Sequence, residues 1–210
     1  MMLFSRLITL TGSPRRSLPW ALEVTAYVNA HSDLQVSLWS ANFGYPLGTL
    51  AWSAGIESQA ALAAGTANLL MDNGYFDLLE KGQEFVTQPG QDLLRELVHG
   101  QPAGEPPAVG SVATITTAVA NAARGAEAMA WGVDIAEYLT TSVGAPVSMF
   151  SNVYGTLGEI TWIAVQPDLA AADTLRAKIG ADAGYMGRLA GVGDLFVPAS
   201  GHVSQAVRIA

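Results

Sequence analysis

The chain has 210 residues; half of them are hydrophobic, 13% are charged, and the formal net charge is −8 at pH 7. Because an average soluble domain is about 25% charged, part of the surface is expected to be covered, either by an interface within the chain or by other subunits of a homo-oligomer. The acidic balance argues against a nucleic-acid partner, since phosphate binding needs clustered Lys and Arg.

Neither a membrane segment nor an export signal is predicted. The longest apolar runs are shorter than the roughly 18 residues that span a bilayer. The apolar run near the amino terminus contains Arg6, which interrupts the uncharged core that a secretory signal needs. We therefore expect a cytoplasmic protein. The sequence contains no cysteine, which excludes disulfides and thiolate chemistry.

Each half of the chain is predicted to contain a strand, a helix, two strands, a helix and a last strand, in that order. In the first half the pattern predicts a strand at 6–11, a helix around Trp20, strands at 34–38 and 48–54, a helix at 56–72 and a strand at 92–98. In the second half it predicts a strand at 112–119, a helix around Trp131, a strand at 158–164, a helix at 169–179 and a strand at 204–210. Gly74 and Gly184 are expected to end the alanine-rich helices at their C-cap positions.

The two halves also share sequence landmarks at a nearly constant distance. Residues 42–52 (NFGYPLGTLAW) match residues 152–162 (NVYGTLGEITW) at a spacing of 110, and three further blocks match at 110 or 111. Repeated landmarks indicate a repeated fold. We predict a first repeat at 1–100, a Pro- and Gly-rich linker at 101–110 and a second repeat at 111–210.

The predicted order is that of the ferredoxin-like βαββαβ unit. Such a unit carries its helices on one face of an antiparallel sheet and leaves the other face open. Trp52 and Trp162 occupy equivalent positions on the third strands and are expected on that open, inner face. The predicted fold class is therefore α+β, with two tandem units whose sheets pack face to face as an intramolecular pseudo-dimeric barrel.

The element order and the duplication resemble the dimeric α/β-barrel superfamily in its tandem, fused form. The resemblance covers nearly the whole chain but includes no catalytic motif. It implies a small-molecule protein, since the superfamily contains cofactor-independent monooxygenases, haem enzymes and lactone isomerases. Haem is disfavoured, because the chlorite dismutase type needs an axial histidine on a second-half helix, and His202 precedes the last strand. No cofactor is expected.

The duplicated blocks supply the candidate ligand-binding residues. Trp52 and Trp162 either line a pocket for an aromatic ligand or pack as core, which is the commoner role of large aromatic residues. Asn42 and Asn152 either orient a ligand carbonyl or stabilise the loops that follow them. Two further candidates lie in those loops, out of register with each other: Tyr45 and Tyr154.

The histidines are the remaining candidates. His31, His99 and His202 share no spacing typical of a metal site, so no metal is predicted. His31 and His202 are weak acid–base candidates, because histidine titrates near neutral pH. Tyr45 and Glu159 join them as polar groups present in one half only, which would mark a pocket kept by that half.

Three functional hypotheses follow from these features. The first is a protein that binds a small apolar or aromatic ligand, as a cofactor-independent monooxygenase or isomerase does. The second is a non-catalytic structural or assembly protein that forms a homo-oligomer. The third is a fused barrel in which one half has kept a pocket and the other has become scaffold.

Overall fold

The computed structural model describes residues 1–86, 88–101 and 105–210. These residues form eight strands: β1 (Met2–Thr9), β2 (Ser37–Phe43), β3 (Thr49–Ile56), β4 (Gln91–His99), β5 (Val112–Val119), β6 (Val147–Tyr154), β7 (Glu159–Gln166) and β8 (His202–Arg208). They also form six α-helices: α1 (Pro14–His31), α2 (Gln59–Thr66), α3 (Asn73–Gly82), α4 (Gly125–Tyr138), α5 (Leu169–Ala181) and α6 (Ala183–Ala190). Within the described ranges, no helix has the length and apolar content needed to cross a membrane.

The strands form one closed antiparallel barrel in the order β1-β3-β2-β8-β5-β7-β6-β4. Read within each half, the order is fourth, first, third, second strand in both, which is the order of a ferredoxin-like sheet. The two sheets join edge to edge, through β2 with β8 and through β4 with β6. The predicted α+β fold and the fused pseudo-dimeric barrel are confirmed.

The repeat boundaries at 1–100, 101–110 and 111–210 remain a prediction. β4 ends at His99 and β5 begins at Val112, but part of the predicted linker lies outside the described residues. Several element boundaries differ from the sequence prediction. β1 begins at Met2 rather than at residue 6, because Met2–Glu96 pairing on one side and Met2–Ile56 pairing on the other extend it.

The two tryptophans of the third strands are buried, as predicted, but on the other face of the sheet. Trp52 and Trp162 are 8% and 9% exposed. The Trp52 ring meets Trp20 of α1 edge to face at 6.3 Å between centroids, and Trp162 meets Trp131 of α4 at 6.2 Å. The assignment to the face between the sheets is therefore wrong. A period of two separates the faces of a strand without saying which one the helices cover.

The first alanine-rich helix ends earlier than predicted, at Thr66, and the second ends at Ala181. The assignment of Gly74 and Gly184 as C-cap residues is wrong. Asp72 and Asp182 cap the N-termini of the next helices, α3 and α6, by accepting backbone N–H bonds. Each glycine lies in the first turn of the new helix. A Cβ at either position would collide with a tyrosine hydroxyl, from Tyr27 of α1 or Tyr138 of α4.

Those tyrosines complete a duplicated connection between helices. The Tyr27 hydroxyl donates to Asp72 Oδ2 at 2.8 Å, and the Tyr138 hydroxyl donates to Asp182 Oδ1 at 2.8 Å. The pKa of Asp72 is lowered mainly by the Tyr27 hydroxyl. The pKa of Asp182 is lowered first by the backbone N–H of Tyr185 and then by the Tyr138 hydroxyl. Each carboxylate thus holds the start of one helix against the end of another.

We expect this pair of carboxylates to contribute to acid sensitivity. A carboxyl whose folded pKa lies below its ordinary value of 3.8 stabilises the fold above that pH and loses the contribution as the pH falls through the folded value. The Asp72→Asn/Asp182→Asn protein should therefore lose less thermal stability than the wild type between about pH 5 and about pH 2. Thermal melts followed by circular dichroism measure this slope. Asp33→Asn/Asp173→Asn, which alters two exposed carboxylates, is the control; equal slopes in both double variants would contradict the expectation.

Candidate functional site

A cavity of about 680 Å³ lies between the sheet of the first half and its helices. We call it the helix–sheet cavity. Its walls come from β1, α1, β3, α2 and α3, and include Phe4, Arg6, Ile8, Trp20, Val24, Val28, Trp52, Leu62, Leu69, Tyr75 and Leu79. Its volume is within the range of about 300–1,000 Å³ that is usual for small-molecule sites.

The walls of this cavity are apolar because the indole N–H groups are satisfied within the protein. Trp20 Nε1 donates to the Leu78 carbonyl at 2.7 Å, and Trp52 Nε1 donates to Thr25 Oγ1 at 2.8 Å. The rings thus present carbon surface to the cavity. Phe85 lies behind Trp20 at 5.9 Å between ring centroids, which holds the Trp20 ring in place.

Polar groups are few and meet at one side of the cavity. Arg6 donates to both oxygens of Asp92, from Nε and from Nη2, each at 2.7 Å. The hydrogen bond to Asp92 is the main reason that the pKa of Arg6 is raised, and Tyr75 adds to the effect. A half-exposed, bidentate ion pair and a phenol therefore line a largely apolar cavity, together with the uncharged polar residues Thr66, Gln83 and Gln88.

A second cavity, of about 450 Å³, lies inside the barrel. We call it the lumen cavity. Its walls are the faces of both sheets that point away from the helices, and they include Leu3, Ser5, Ser37, Trp39, Tyr45, Ala51, Ser53, Arg95, Ile115, Phe150 and Ile163. Trp39 Nε1 donates to Ser53 Oγ at 2.9 Å. The face-to-face sheets thus enclose a space that side chains do not completely fill.

The predicted ligand-binding residues fall into different places. Trp52 lines the helix–sheet cavity and Tyr45 lines the lumen cavity. Trp162 donates from Nε1 to the Gly132 carbonyl at 2.9 Å and packs in the second-half core. Asn152 donates to the Thr156 carbonyl at 3.2 Å and to Glu159 Oε1 at 3.0 Å, so it stabilises its loop as the simpler alternative proposed.

Asn42 and Tyr154 lie on the surface. Asn42 is in β2 rather than in a loop, at a bulge between Ala41 and Phe43, and is exposed. Tyr154 is 58% exposed, and its hydroxyl donates to Gln59 Oε1 at 3.4 Å. Neither Asn42 nor Tyr154 is among the residues that line the helix–sheet cavity or the lumen cavity.

The two histidine candidates are also exposed. His31 stacks on Tyr27 at 3.9 Å between ring centroids, at the end of α1. His202 starts β8 and lies 6.2 Å from the Tyr45 ring. Of the four polar groups present in one half only, the structure thus brings Tyr45 and His202 together.

The described part of the chain contains no candidate metal or haem centre. No group of three His, Asp or Glu residues is arranged there to hold a metal ion. Since His202 is on a strand, the second half offers no helical histidine at the position that the chlorite dismutase resemblance requires. The prediction that no cofactor binds remains a prediction.

The sequence prediction missed the polar pair of the helix–sheet cavity. Arg6 was noticed only as an interruption of an apolar run. A charged residue in the middle of a strand whose neighbours are apolar is itself a signal, although the Arg6 and Asp92 side chains are about half exposed. The partner, Asp92, lies 86 residues away, and only the pairing of β1 with β4 brings the two together.

No protein-family model matches the chain, and no curated protein matches it in sequence. Solved structures match its fold. A proposed monooxygenase of Fusobacterium nucleatum superposes with a TM-score of 0.72 at 9% identity, over 100% of this chain and 92% of that chain. A proposed monooxygenase of Lactobacillus acidophilus gives 0.64 at 12% identity, over 99% and 93%. An anthrone oxidase-like protein gives 0.63 at 13% identity, over 98% and 91%.

At these identities the likeness concerns the fold and not the chemistry. The superpositions cover 98–100% of this chain, so they include both halves of its closed eight-stranded barrel. The fold is thus an α/β barrel like that of these structures, with two ferredoxin-like halves fused in one polypeptide.

Proposed function

We propose that the protein binds an apolar, aromatic small molecule in the helix–sheet cavity of its first half. The observation that carries the proposal is the cavity itself: about 680 Å³, walled by two tryptophans whose N–H groups are already satisfied. Flat carbon surfaces on both the helix side and the sheet side suit a planar ring system. A few convergent polar groups then fix its orientation.

The strand register supports a site in the first half only. Arg6 lies opposite Trp52 and Asp92. The residue that lies opposite Trp162 is Thr116, and its neighbour on the other side is Val203. The second half thus carries neither member of the ion pair at the equivalent positions. This agrees with the hypothesis that one half keeps a pocket and the other serves as scaffold.

The finer form of the proposal is a cofactor-independent oxygenase. In this form Asp92 accepts a proton from the activated CH₂ group of an anthrone-like substrate, and Arg6 stabilises the resulting oxyanion. The carbanion then reacts with O₂, and the overall change converts CH₂ and O₂ to a carbonyl and water. The fold shared with two proposed monooxygenases and an anthrone oxidase-like protein motivates this choice of reaction.

A cavity-filling substitution tests the binding. Val24 lines the cavity beside the two tryptophans, so Val24→Phe should weaken the binding of 1-naphthol by about tenfold or more, because the ring then has no space. Isothermal titration calorimetry measures the affinity. Leu157→Phe introduces the same ring at a position that is 94% exposed and should leave the affinity unchanged. No binding by the wild type, or equal binding by Val24→Phe, would contradict the proposal and favour the non-catalytic assembly protein.

Oxygen uptake distinguishes an oxygenase from an isomerase. With anthrone, an oxygenase consumes O₂ in proportion to product, and Asp92→Asn should slow this without abolishing binding. Asp194→Asn breaks an exposed ion pair of the second half and is the matched control. An isomerase would use the same carboxylate as base but consume no O₂, so oxygen uptake separates the two.

A further inference from the structure

The two halves differ in the size of their side chains on the sheet faces that enclose the lumen cavity. Ser5 and Ser53 lie opposite each other in the first half, whereas the equivalent pair in the second half is Ile115 and Ile163. In the next row, Gly55 of the first half corresponds to Val165. If the first half carried the second half's residues, these larger side chains would occupy the cavity. Small residues of the first half thus leave space here, and the second half adds to it with Ala113 and Ala206, where the first half has Leu3 and Arg95.

The same faces carry one unpaired cation. Arg95 lies opposite Leu3, at the position that Ala206 occupies in the second half. Its side chain lines the lumen cavity, yet the residue is only 8% exposed. Among the described residues, its Nε has no hydrogen-bond partner and no carboxylate lies within 4.0 Å of its guanidinium.

A buried guanidinium without a partner is rare in a folded protein. Burial lowers the pKa of Arg95, and the charges of Glu159 and Tyr45 only partly offset this, but an arginine stays protonated in proteins. Glu159 is the acid whose charge acts on Arg95, and its Oε1 already accepts from Asn152 at 3.0 Å. Glu105 also lines the lumen cavity, but it does not come within 4.0 Å of the Arg95 guanidinium. A buried charge is normally paired. We therefore expect the guanidinium N–H groups of Arg95 to bind an anion that is not part of the chain.

We propose that the lumen cavity is a second binding site, which takes a carboxylate with an apolar body the size of one or two rings. Arg95 would hold the carboxylate through two parallel N–H bonds, as its planar fork does with carboxylates generally. Trp39 and Phe150, which line the same cavity, would contact the ring. This site is separate from the helix–sheet cavity, so it stands or falls independently of the function proposed above.

The test compares two probes that differ in charge but not in shape: 2-naphthoate and 2-naphthamide. Calorimetry on the full chain should show the carboxylate binding about tenfold or more tighter than the amide, as expected for hydrogen bonds to a charged group. Arg95→Met should remove that preference. Arg176→Met, which removes an exposed arginine, should keep it. Equal affinities of the wild type for the two probes would overturn the proposal.

Two further readouts separate a binding role from a structural one. Without ligand, Arg95→Met should melt at a temperature equal to or higher than that of the wild type, because removing an unpaired buried charge relieves its desolvation cost. A clearly lower melting temperature would mean that Arg95 holds the fold together, and would overturn the proposal. Ser5→Ile, which copies the second half's residue, should also abolish carboxylate binding, because it fills the lumen; unchanged binding would place the probe elsewhere.

Discussion

Replacing Trp162 with alanine is expected to lower the free energy of unfolding by about 3–5 kcal/mol, the usual cost of removing a large core aromatic residue. The ring is 9% exposed, and it contacts Trp131 and Phe196 edge to face at 6.2 and 6.0 Å between centroids. Its N–H also satisfies the Gly132 carbonyl at 2.9 Å. The substitution therefore removes aromatic contacts and a buried hydrogen bond together.

Urea denaturation followed by circular dichroism gives this free energy. Leu157→Ala is the control from the same half, because Leu157 is 94% exposed and its truncation should change stability by less than about 0.5 kcal/mol. A loss below about 1 kcal/mol for Trp162→Ala would mean that the ring does not serve as core. The packing described for the second half would then be wrong.

The first half expressed alone, as residues 1–100, is expected not to form a soluble, folded monomer. It would lack β8 and β6, so the edges of β2 and β4 would lose their hydrogen-bonded partners. Free strand edges promote pairing with other chains. The apolar residues of the lumen face, such as Leu3, Leu7 and Trp39, would also meet water, and exposed apolar patches commonly mark contacts.

Size-exclusion chromatography with light scattering, together with a proton–nitrogen correlation spectrum, measures the outcome. The fragment should be insoluble, self-associated or without dispersed resonances, whereas the full chain should give a dispersed spectrum. A monomeric fragment with a dispersed spectrum would show that the half folds without its mate. In that case the repeat boundaries at residues 100 and 111 would mark independent domains.

The architecture was predictable because the same residues recur at a nearly constant spacing in the two halves. The spacing of 110 between residues 42–52 and 152–162 indicated a repeated fold, and the order of the predicted elements indicated a ferredoxin-like sheet in each half. The orientation of Trp52 was not predictable, because alternation along a strand does not say which face the helices cover. Gly74 was assigned to the wrong end of a helix, because its actual reason, the approach of the Tyr27 hydroxyl, is a tertiary contact.

The candidate sites were predictable only in part. Trp52 and Tyr45 were singled out and do line the two cavities. Arg95 was missed, since nothing in its local sequence distinguishes it from a surface arginine. A signal existed in the alignment of the halves: Ser5, Ser53 and Gly55 against Ile115, Ile163 and Val165. That difference in size can be interpreted only once the strand register shows that all six residues line the lumen cavity.

The central claim, that the first half alone carries the aromatic-binding cavity, can be tested with the tryptophan indole N–H resonances. The chain has five tryptophans: Trp20 and Trp52 line the helix–sheet cavity, Trp39 lines the lumen cavity, and Trp131 and Trp162 belong to the second half. Each resonance can be assigned by a single Trp→Phe substitution. On titration with 1-naphthol, the resonances of Trp20 and Trp52 should shift together and saturate, while those of Trp131 and Trp162 stay in place. Shifts confined to Trp131 and Trp162, or the absence of any saturable shift, would contradict the claim.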